Sequence, residues 1–441
     1  MITIGDGERC TNYKYTIKQI LISIKCFLGS SAGFRGLSSV FKILCGWIPS
    51  FISPAHTTIR QWLLKIGLYK LKCPKYSPSG WFFIVDTSIQ MGPQKFVVVL
   101  GVKNLDINED FCPNFDEVEP LVVKPLYNCP GEIIKELLEE ATVITGTPPI
   151  GVVSDQGSEN KKGVRLFIQN HTETVHLFDA SHKINNCLKE ELNHDPVWLA
   201  FKADAANSIQ YLKLSSIAHL APPRQRSKDR MHSAFYLIDW GIRVLQFLGS
   251  EKAAALTTNE RSKIEWIKKY QFALPNYMYF QEICEHALNI VHEEGYFLEI
   301  AKEFCKRIEH LSTRDRRSID FQNKIKTILQ NEGGKIPGGA HYLGSSEIEE
   351  SVFGKFKAME GNHASSGLTS LVLAVPALLG KLNESIIAKA MEEISVLDVD
   401  QWIEKNMGQT FLSKRRQALT RNNDNYNDNS WKDLDLCDLF T

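Results

Sequence analysis

Two apolar runs rich in β-branched and aromatic residues, Trp81 to Val85 and Phe96 to Val102, constrain the fold of this chain most strongly. Because only a polar turn separates them, the pattern predicts a β-hairpin. Asp86 follows the first run directly. A carboxylate beside so apolar a run is costly to bury unless it is paired or binds a metal. Asp86 therefore marks either a turn cap or a functional site.

The same arrangement, an apolar strand followed by an aspartate, recurs twice. Pro149 to Val153 predicts a short strand that leads to Asp155, and Thr174 to Phe178 predicts another that leads to Asp179. Sites in α/β folds gather at the carboxyl ends of strands, so Asp86 and Asp155 support one another as site residues. Asp179 has a simpler interpretation as the N-cap of a predicted helix.

A third candidate carboxylate lies on a helix predicted over Ser345 to Met359, with glutamates in its first turns. Glu350 and Lys357 are seven residues apart, so they lie on one face of this helix, two turns from each other. Such a pair suits a site that handles a phosphate backbone, whereas a solvated face is the simpler interpretation. The choice of Glu350 over Glu347 and Glu349 depends on the lysine spacing.

The N-terminal segment is basic, although the whole chain has a net charge of zero. Residues 1–78 carry eleven lysines and arginines against two acidic side chains, which gives this segment a net charge of +9. A basic segment on a neutral chain indicates binding to a polyanion such as nucleic acid. A solvated lysine-rich face is the simpler alternative.

Three short amphipathic helices are predicted within this basic segment, over residues 16–28, 35–44 and 53–66. The third is expected to begin with Ser53 as N-cap and Pro54 at its first position, and to end at Gly67. Three such helices have the layout of a helix-turn-helix domain. The side chains predicted to contact DNA are Arg35, His56, Thr57, Arg60, Gln61 and Lys65.

The remaining composition is that of an ordinary globular protein. The ten cysteines include no C-x-x-C pair, so the sequence supports neither a disulfide framework nor a zinc module. No apolar run approaches the roughly 20 residues needed to span a bilayer, and no signal peptide is expected. A soluble protein of a reducing cytoplasm is the expectation.

Taken together, these features resemble a DDE transposase of the prokaryotic insertion-sequence kind, over about residues 13–420. VDTSIQMG around Asp86 is similar to the first-aspartate strand of that family, and VVSDQGSENKKG around Asp155 to the second. Glu350 with Lys357 resembles the E-x6-K half of its signature. AHTTIRQWLLKIGLYKL looks like the recognition helix of the associated DNA-binding domain.

Two further comparisons with the family concern the region around the glutamate helix. The segment from Asp179 to His182 is similar to a Cys/Asp-x-x-His motif that several of these families carry. The tyrosine and arginine of the signature would fall on Leu343 and Ser346, so that half of the signature is missing. The distance of 195 residues between Asp155 and the glutamate implies an insertion in the core.

The resemblance implies an α/β fold, with a ribonuclease-H-like mixed-sheet core that an all-helical insertion interrupts and a helix-turn-helix domain precedes. The expected units are a DNA-binding domain (1–72), a linker (73–80), the first part of the core (81–200), the insertion (201–340), the second part of the core with the glutamate helix (341–420) and a flexible tail (421–441).

The resemblance also implies an activity. Asp86, Asp155 and Glu350 would hold two Mg²⁺ ions about 4 Å apart, with Mn²⁺ as a substitute, and Asp179, His182 and Lys357 would support them. The enzyme would cleave the ends of a mobile DNA element and join the freed 3′-hydroxyl to target DNA. Its expected partners are double-stranded DNA and further copies of the chain, in a prokaryotic cytoplasm at the nucleoid.

Two alternatives stay open. One is a catalytically idle, transposase-derived regulator that only binds DNA. The other is a nuclease on the same fold that cuts without strand transfer. A phosphatase that does not act on DNA fits the basic N-terminal segment least well.

Overall fold

The computed structural model describes residues 8–11, 13–48, 51–91, 94–104, 110–224, 230–312, 315–360, 368–408 and 411–419. The tail predicted over residues 421–441 lies outside these ranges. The strands are β1 (Trp81–Met91), β2 (Gln94–Lys103), β3 (Val118–Leu126), β4 (Gly151–Ser154) and β5 (Val175–Phe178). The α-helices are α1 (Ile17–Gly29), α2 (Phe34–Leu44), α3 (His56–Lys72), α4 (Gly131–Thr145), α5 (Ser158–Ile168), α6 (Ala180–Asn193), α7 (Pro196–Lys213), α8 (Arg230–Leu248), α9 (Thr258–Ile264), α10 (Leu274–Glu294), α11 (Ile300–Arg307), α12 (Arg316–Gly333), α13 (Glu347–Glu360), α14 (Ala374–Leu378), α15 (Glu384–Glu393), α16 (Val396–Met407) and α17 (Phe411–Leu419).

The five strands form one mixed sheet in the order β3-β2-β1-β4-β5. β1 pairs antiparallel with β2, and β2 pairs antiparallel with β3. β4 pairs parallel with both β1 and β5. The predicted α/β class and the predicted hairpin are therefore confirmed, and β1 occupies the centre of the sheet.

Successive residues of β1 serve two different cores, as the alternation of side chains along a strand requires. Phe83 and Val85 pack with α4 and α5 in one hydrophobic cluster. Phe82 and Ile84 pack on the opposite face, in a cluster that also contains residues of α6, α10 and α13. The sheet is thus covered by helices on both faces, which explains why its central strand reads as a continuous apolar run.

The region from α7 to α12 is helical apart from its turns, over the residues described there. Its apolar side chains belong to the same cluster as one face of the sheet, so they extend the core of the sheet. One isolated bridge, between Tyr296 and Tyr342, joins the turn after α10 to the segment before α13.

The N-terminal helices share a second core with the C-terminal ones. Side chains of α1, α2 and α3 pack with side chains of α14, α15 and α16 in one cluster. A separate domain over residues 1–72, followed by a linker, stays a prediction. In the structure, the helices of this segment pack against the C-terminal helices. Within the expected linker, Lys75 and Ser77 are buried.

The structure corrects two predictions about α3. The helix begins at His56 with Ala55 as its N-cap, not at Pro54, and it continues through Gly67 to Lys72. A Cβ atom at Gly67 would lie 1.9 Å from the carbonyl oxygen of Leu373. The glycine is therefore a point of close backbone contact inside a helix, and it does not end the helix.

Among the described residues, no helix is both long enough and apolar enough to cross a membrane.

Candidate functional site

The first two predicted aspartates come together where the parallel pairing of β1 and β4 ends. Val85 of β1 pairs with Ser154 of β4, so the next residue of each strand, Asp86 or Asp155, lies at the same edge. Asp86 is only 8% exposed, and its Oδ1 accepts a hydrogen bond of 2.6 Å from the amide of Thr87. This adjacency is the one that the two strand-aspartate patterns predicted.

Asp155 is held by the turn that follows β4. Its Oδ1 accepts hydrogen bonds from the amide of Gly157, at 2.9 Å, and from Nδ2 of Asn160, at 2.7 Å. Asn160 belongs to the first turn of α5. The start of α5 therefore fixes the orientation of the Asp155 carboxylate.

Two carboxylates of α13 are buried, Glu349 in its first turn and Glu360 at its end, whereas the predicted Glu350 is exposed. Glu349 is 1% exposed, and both of its carboxylate oxygens are buried without a hydrogen-bond partner. Burial raises the pKa of Glu349, and the negative charges of Asp86 and Asp155 raise it further. The Glu350 side chain is 69% exposed, and its nearest basic partner is Nε2 of His182 at 3.9 Å.

Aromatic packing places α13 across the sheet. Phe356 stacks on Phe96 of β2 with ring centroids 5.4 Å apart, and Phe353 meets the same ring edge-on. Glu349 lies four and seven residues before these phenylalanines, so it shares their face of the helix. The packing that buries the two phenylalanines therefore also places Glu349 on the side of α13 that is turned towards the sheet.

Asp179 joins the two halves of the core. Its Oδ1 accepts a hydrogen bond of 2.6 Å from the amide of His182, which confirms the predicted N-cap of α6. Its Oδ2 accepts from the amide and the hydroxyl of Ser346, at 2.6 and 2.8 Å. Burial alone would raise the pKa of Asp179, but the side chain of His182, and then the amides of His182 and Ser346, hold it below its usual range.

His182 lies between Asp179 and the exposed side of α13. The carboxylate of Asp179, 3.2 Å from Nδ1, raises the pKa of His182 to about 9. The imidazole is therefore a cation at neutral pH. Lys357, the other predicted supporting residue, is exposed further along α13.

A different group of side chains has metal-binding geometry. One ligand atom each from Cys112, His292 and Glu347 lies within 4.8 Å of the other two. In the part of the chain that the structure describes, the carboxylates at the strand ends and on α13 do not form a group this tight. Sequence reasoning missed the mixed triad because its residues are scattered over 235 positions of the chain.

The structure divides the predicted DNA-contacting residues into two sets. Lys65 is buried, and its Nζ lies 2.7 Å from the hydroxyl of Tyr13. Arg60 donates a hydrogen bond to the hydroxyl of Ser370, and the Oε1 atom of Gln61 is buried. The exposed members are Arg35, His56 and Thr57.

Comparison with protein-family models and with curated protein sequences finds no match for this chain.

Proposed function

We propose that the protein is a DDE-type transposase with a ribonuclease-H-like core, in which Asp86, Asp155 and Glu349 bind divalent metal. One observation carries this proposal: a buried glutamate without hydrogen-bond partners lies near enough to Asp86 and Asp155 to be affected by their charges, and these two aspartates lie where the parallel pairing of β1 and β4 ends. The mixed five-stranded sheet with helices on both faces supports the choice of core.

The donor set fits a hard cation. A buried carboxylate with no hydrogen-bond partner is unfavourable unless it takes up a proton or meets a positive charge. Both oxygens of Glu349 are in that position, and Asp86 and Asp155 add two more carboxylates nearby. Carboxylate oxygens suit Mg²⁺, with Mn²⁺ as an alternative. Such an ion, when bound, would polarise the scissile phosphate and lower the pKa of the attacking water.

The protein residues around the carboxylates have separate tasks in this proposal. The turn after β4 holds Asp155, and the packing of Phe356 on Phe96 holds Glu349. The cationic His182 beside Glu350 attracts the phosphate backbone at the open side of the site. These residues bind and orient the DNA strand, which leaves the chemistry to the carboxylate cluster.

The proposed reaction has two displacements at phosphorus. Water first attacks the phosphodiester at the element end, the P–O bond to the 3′-oxygen breaks, and that oxygen leaves as a hydroxyl. The 3′-hydroxyl then attacks a phosphodiester of the target DNA, whose own 3′-oxygen leaves. The proposed partners are double-stranded DNA, contacted by Arg35, His56 and Thr57, and further copies of the chain, at the nucleoid of a prokaryotic cell.

The test compares four single substitutions, Asp86→Asn, Asp155→Asn, Glu349→Gln and Glu350→Gln, in Mg²⁺-dependent cleavage of the DNA that flanks the gene. We expect the first three to reduce cleavage at least about a hundredfold, because each removes a metal ligand. Glu350→Gln is the matched control, one residue away on the same helix, and we expect it to keep most of the activity.

Three outcomes would overturn parts of the proposal. Cleavage retained by Glu349→Gln but lost in Glu350→Gln would return the third ligand to Glu350. Wild-type cleavage without joined products on a target plasmid would indicate a nuclease. DNA binding without any metal-dependent cleavage would indicate an idle regulator. Circular dichroism of each variant shows that its fold is intact.

A further inference from the structure

We propose that Cys112, His292 and Glu347 form a zinc site that fastens together three parts of the chain. Cys112 lies in the connection between β2 and β3, His292 in the last turn of α10 and Glu347 at the start of α13. Zinc binding here is independent of the proposed transposase activity, because it involves none of the three carboxylates assigned to that activity.

The first argument comes from distances. Nε2 of His292 lies 3.4 Å from Oε1 of Glu347, and all three ligand atoms lie within 4.8 Å of one another. Nitrogen and oxygen ligands 2.0–2.1 Å from a tetrahedral zinc ion are about 3.3–3.4 Å apart. The observed separation is that of two ligands on one ion, and it is long for a charge-assisted hydrogen bond.

The second argument comes from the histidine itself. Nε2 of His292 is buried and has no hydrogen-bond partner among the described residues, although a carboxylate lies close by. Two arrangements explain a buried ring nitrogen this close to a carboxylate, an ion pair with a protonated imidazole or a metal ion between the two groups, and the zinc titration below separates them. The Glu347 carboxylate is itself oriented by the Ser181 hydroxyl, which donates a hydrogen bond of 2.5 Å to Oε1.

Space for a fourth ligand is present. A cavity of about 300 Å³ opens onto both His292 and Glu347. It is large enough to hold water, which can complete a tetrahedral set of three protein ligands. The same cavity gives an ion access to the site from solvent.

The donor types select the metal. A thiolate and an imidazole favour a borderline ion such as Zn²⁺, whereas Mg²⁺ takes oxygen ligands. Binding replaces the thiol proton of Cys112 with the metal, and that proton is released to solvent. The backbone already prepares the site, because the amide of Phe111 donates a hydrogen bond of 2.6 Å to the carbonyl of His292.

The experiment measures zinc bound by the full-length protein after dialysis, by elemental analysis and by titration against a competing chelator. We expect about one zinc ion per chain at this site, and a fall in affinity of at least about tenfold in Cys112→Ser and in His292→Gln. Cys305→Ser is the matched control, because Cys305 on α11 lies outside the triad. It should bind zinc like the wild type.

Cobalt substitution adds a readout specific to the thiolate. Co²⁺ bound by Cys112 gives a sulfur-to-cobalt charge-transfer absorption, which carboxylate ligation alone does not give. We expect this band in the wild type and in Cys305→Ser, and not in Cys112→Ser. Zinc affinity and cobalt absorption that are unchanged in Cys112→Ser and His292→Gln would overturn the proposal. Loss of zinc binding with Mg²⁺-dependent cleavage intact would leave the proposed function untouched.

Discussion

At the scale of single residues, His176 shows how burial selects a protonation state. It lies on β5, where its Nε2 is 2.9 Å from the hydroxyl of Ser154. Burial, and then the positive charge of Lys335, lower the pKa of His176 to about 4. Because the unfolded chain binds this proton more tightly, the neutral imidazole stabilises the fold fully above pH 6.5. That stability, up to about 3 kcal/mol, is lost as the pH falls towards 4.

In His176→Gln, the free energy of unfolding should therefore depend less on pH below pH 6.5. Glutamine keeps a hydrogen-bonding group beside Ser154 but does not titrate. We expect the free energy of unfolding, measured in urea, to fall less steeply between pH 6.5 and 4 than in the wild type. His219→Gln, at an exposed histidine, should follow the wild-type curve. Parallel curves for wild type and His176→Gln would contradict the assignment.

The position of Glu349 could have been predicted from the sequence. Val352, Phe353 and Phe356 follow it at three, four and seven residues, so they define a buried stripe that includes Glu349. The spacing between Glu350 and Lys357 pointed to a different face, which is exposed. A charged residue on an apolar helical stripe is the stronger signal, because the fold must compensate for its burial.

At the scale of elements, α3 depends on contact between backbones. The Cβ of an alanine at Gly67 would lie 1.9 Å from the carbonyl oxygen and 2.9 Å from the carbonyl carbon of Leu373. We expect Gly67→Ala to destabilise the protein by about 1–3 kcal/mol or more, since backbone cannot yield as a side chain can. Thermal and urea unfolding measure the change.

Gly36→Ala provides the comparison within another helix. The nearest atom to a Cβ at Gly36 is 4.0 Å away, which is ordinary contact. Because alanine favours helix over glycine, this variant should be neutral or more stable by up to about 1 kcal/mol. Equal effects of the two substitutions would show that helix propensity, and not the contact with Leu373, decides the outcome at Gly67.

The same helix shows where sequence reasoning reached its limit. The pattern of Ile59, Trp62, Leu63 and Ile66 correctly predicts a helix, but it also predicts that the remaining side chains of this helix are exposed to DNA. Leu64 lies outside this stripe but is also buried, as is most of the helix from residue 62 to 70. α3 is therefore covered on more than one side. A helix that is apolar on several faces lies within a core, and the sequence does not show which distant segment supplies the cover.

At the scale of the whole molecule, the two ends of the chain depend on each other. Removal of residues 1–78 would expose the apolar faces of α14, α15 and α16 that now pack on α1 to α3. We expect the truncated chain to lose cooperative thermal unfolding and to aggregate, as judged by circular dichroism and gel filtration. Removal of residues 421–441, predicted to bury little, is the control. A monomeric, cooperatively folding 79–441 fragment would instead show an independent N-terminal domain.

The packing of the two chain ends against each other also sets a limit on how much of the fold can be predicted from the sequence. The hairpin of β1 and β2 and the two strands β4 and β5 follow from local periodicity. The packing of the N-terminal helices against the C-terminal ones cannot be predicted in this way. A hydrophobic helix face indicates that the face is buried, but it does not indicate which segment covers it. The same holds for the triad of Cys112, His292 and Glu347, whose members only the folded chain brings together.

The two hydrogen bonds that Asp179 makes to Ser346 have a consequence for how such a chain can change over generations. The amide of Ala180 also donates to the carbonyl of Gly344, so the backbone leaves this point and returns to it. The segment between Asp179 and Ser346, which is more than 160 residues long, therefore leaves the core and returns to it at the same place. We expect its length to vary more freely than the contacts at its two ends, because the bonds at Asp179 and the packing of Phe356 on Phe96, and not the amount of intervening chain, position Glu349.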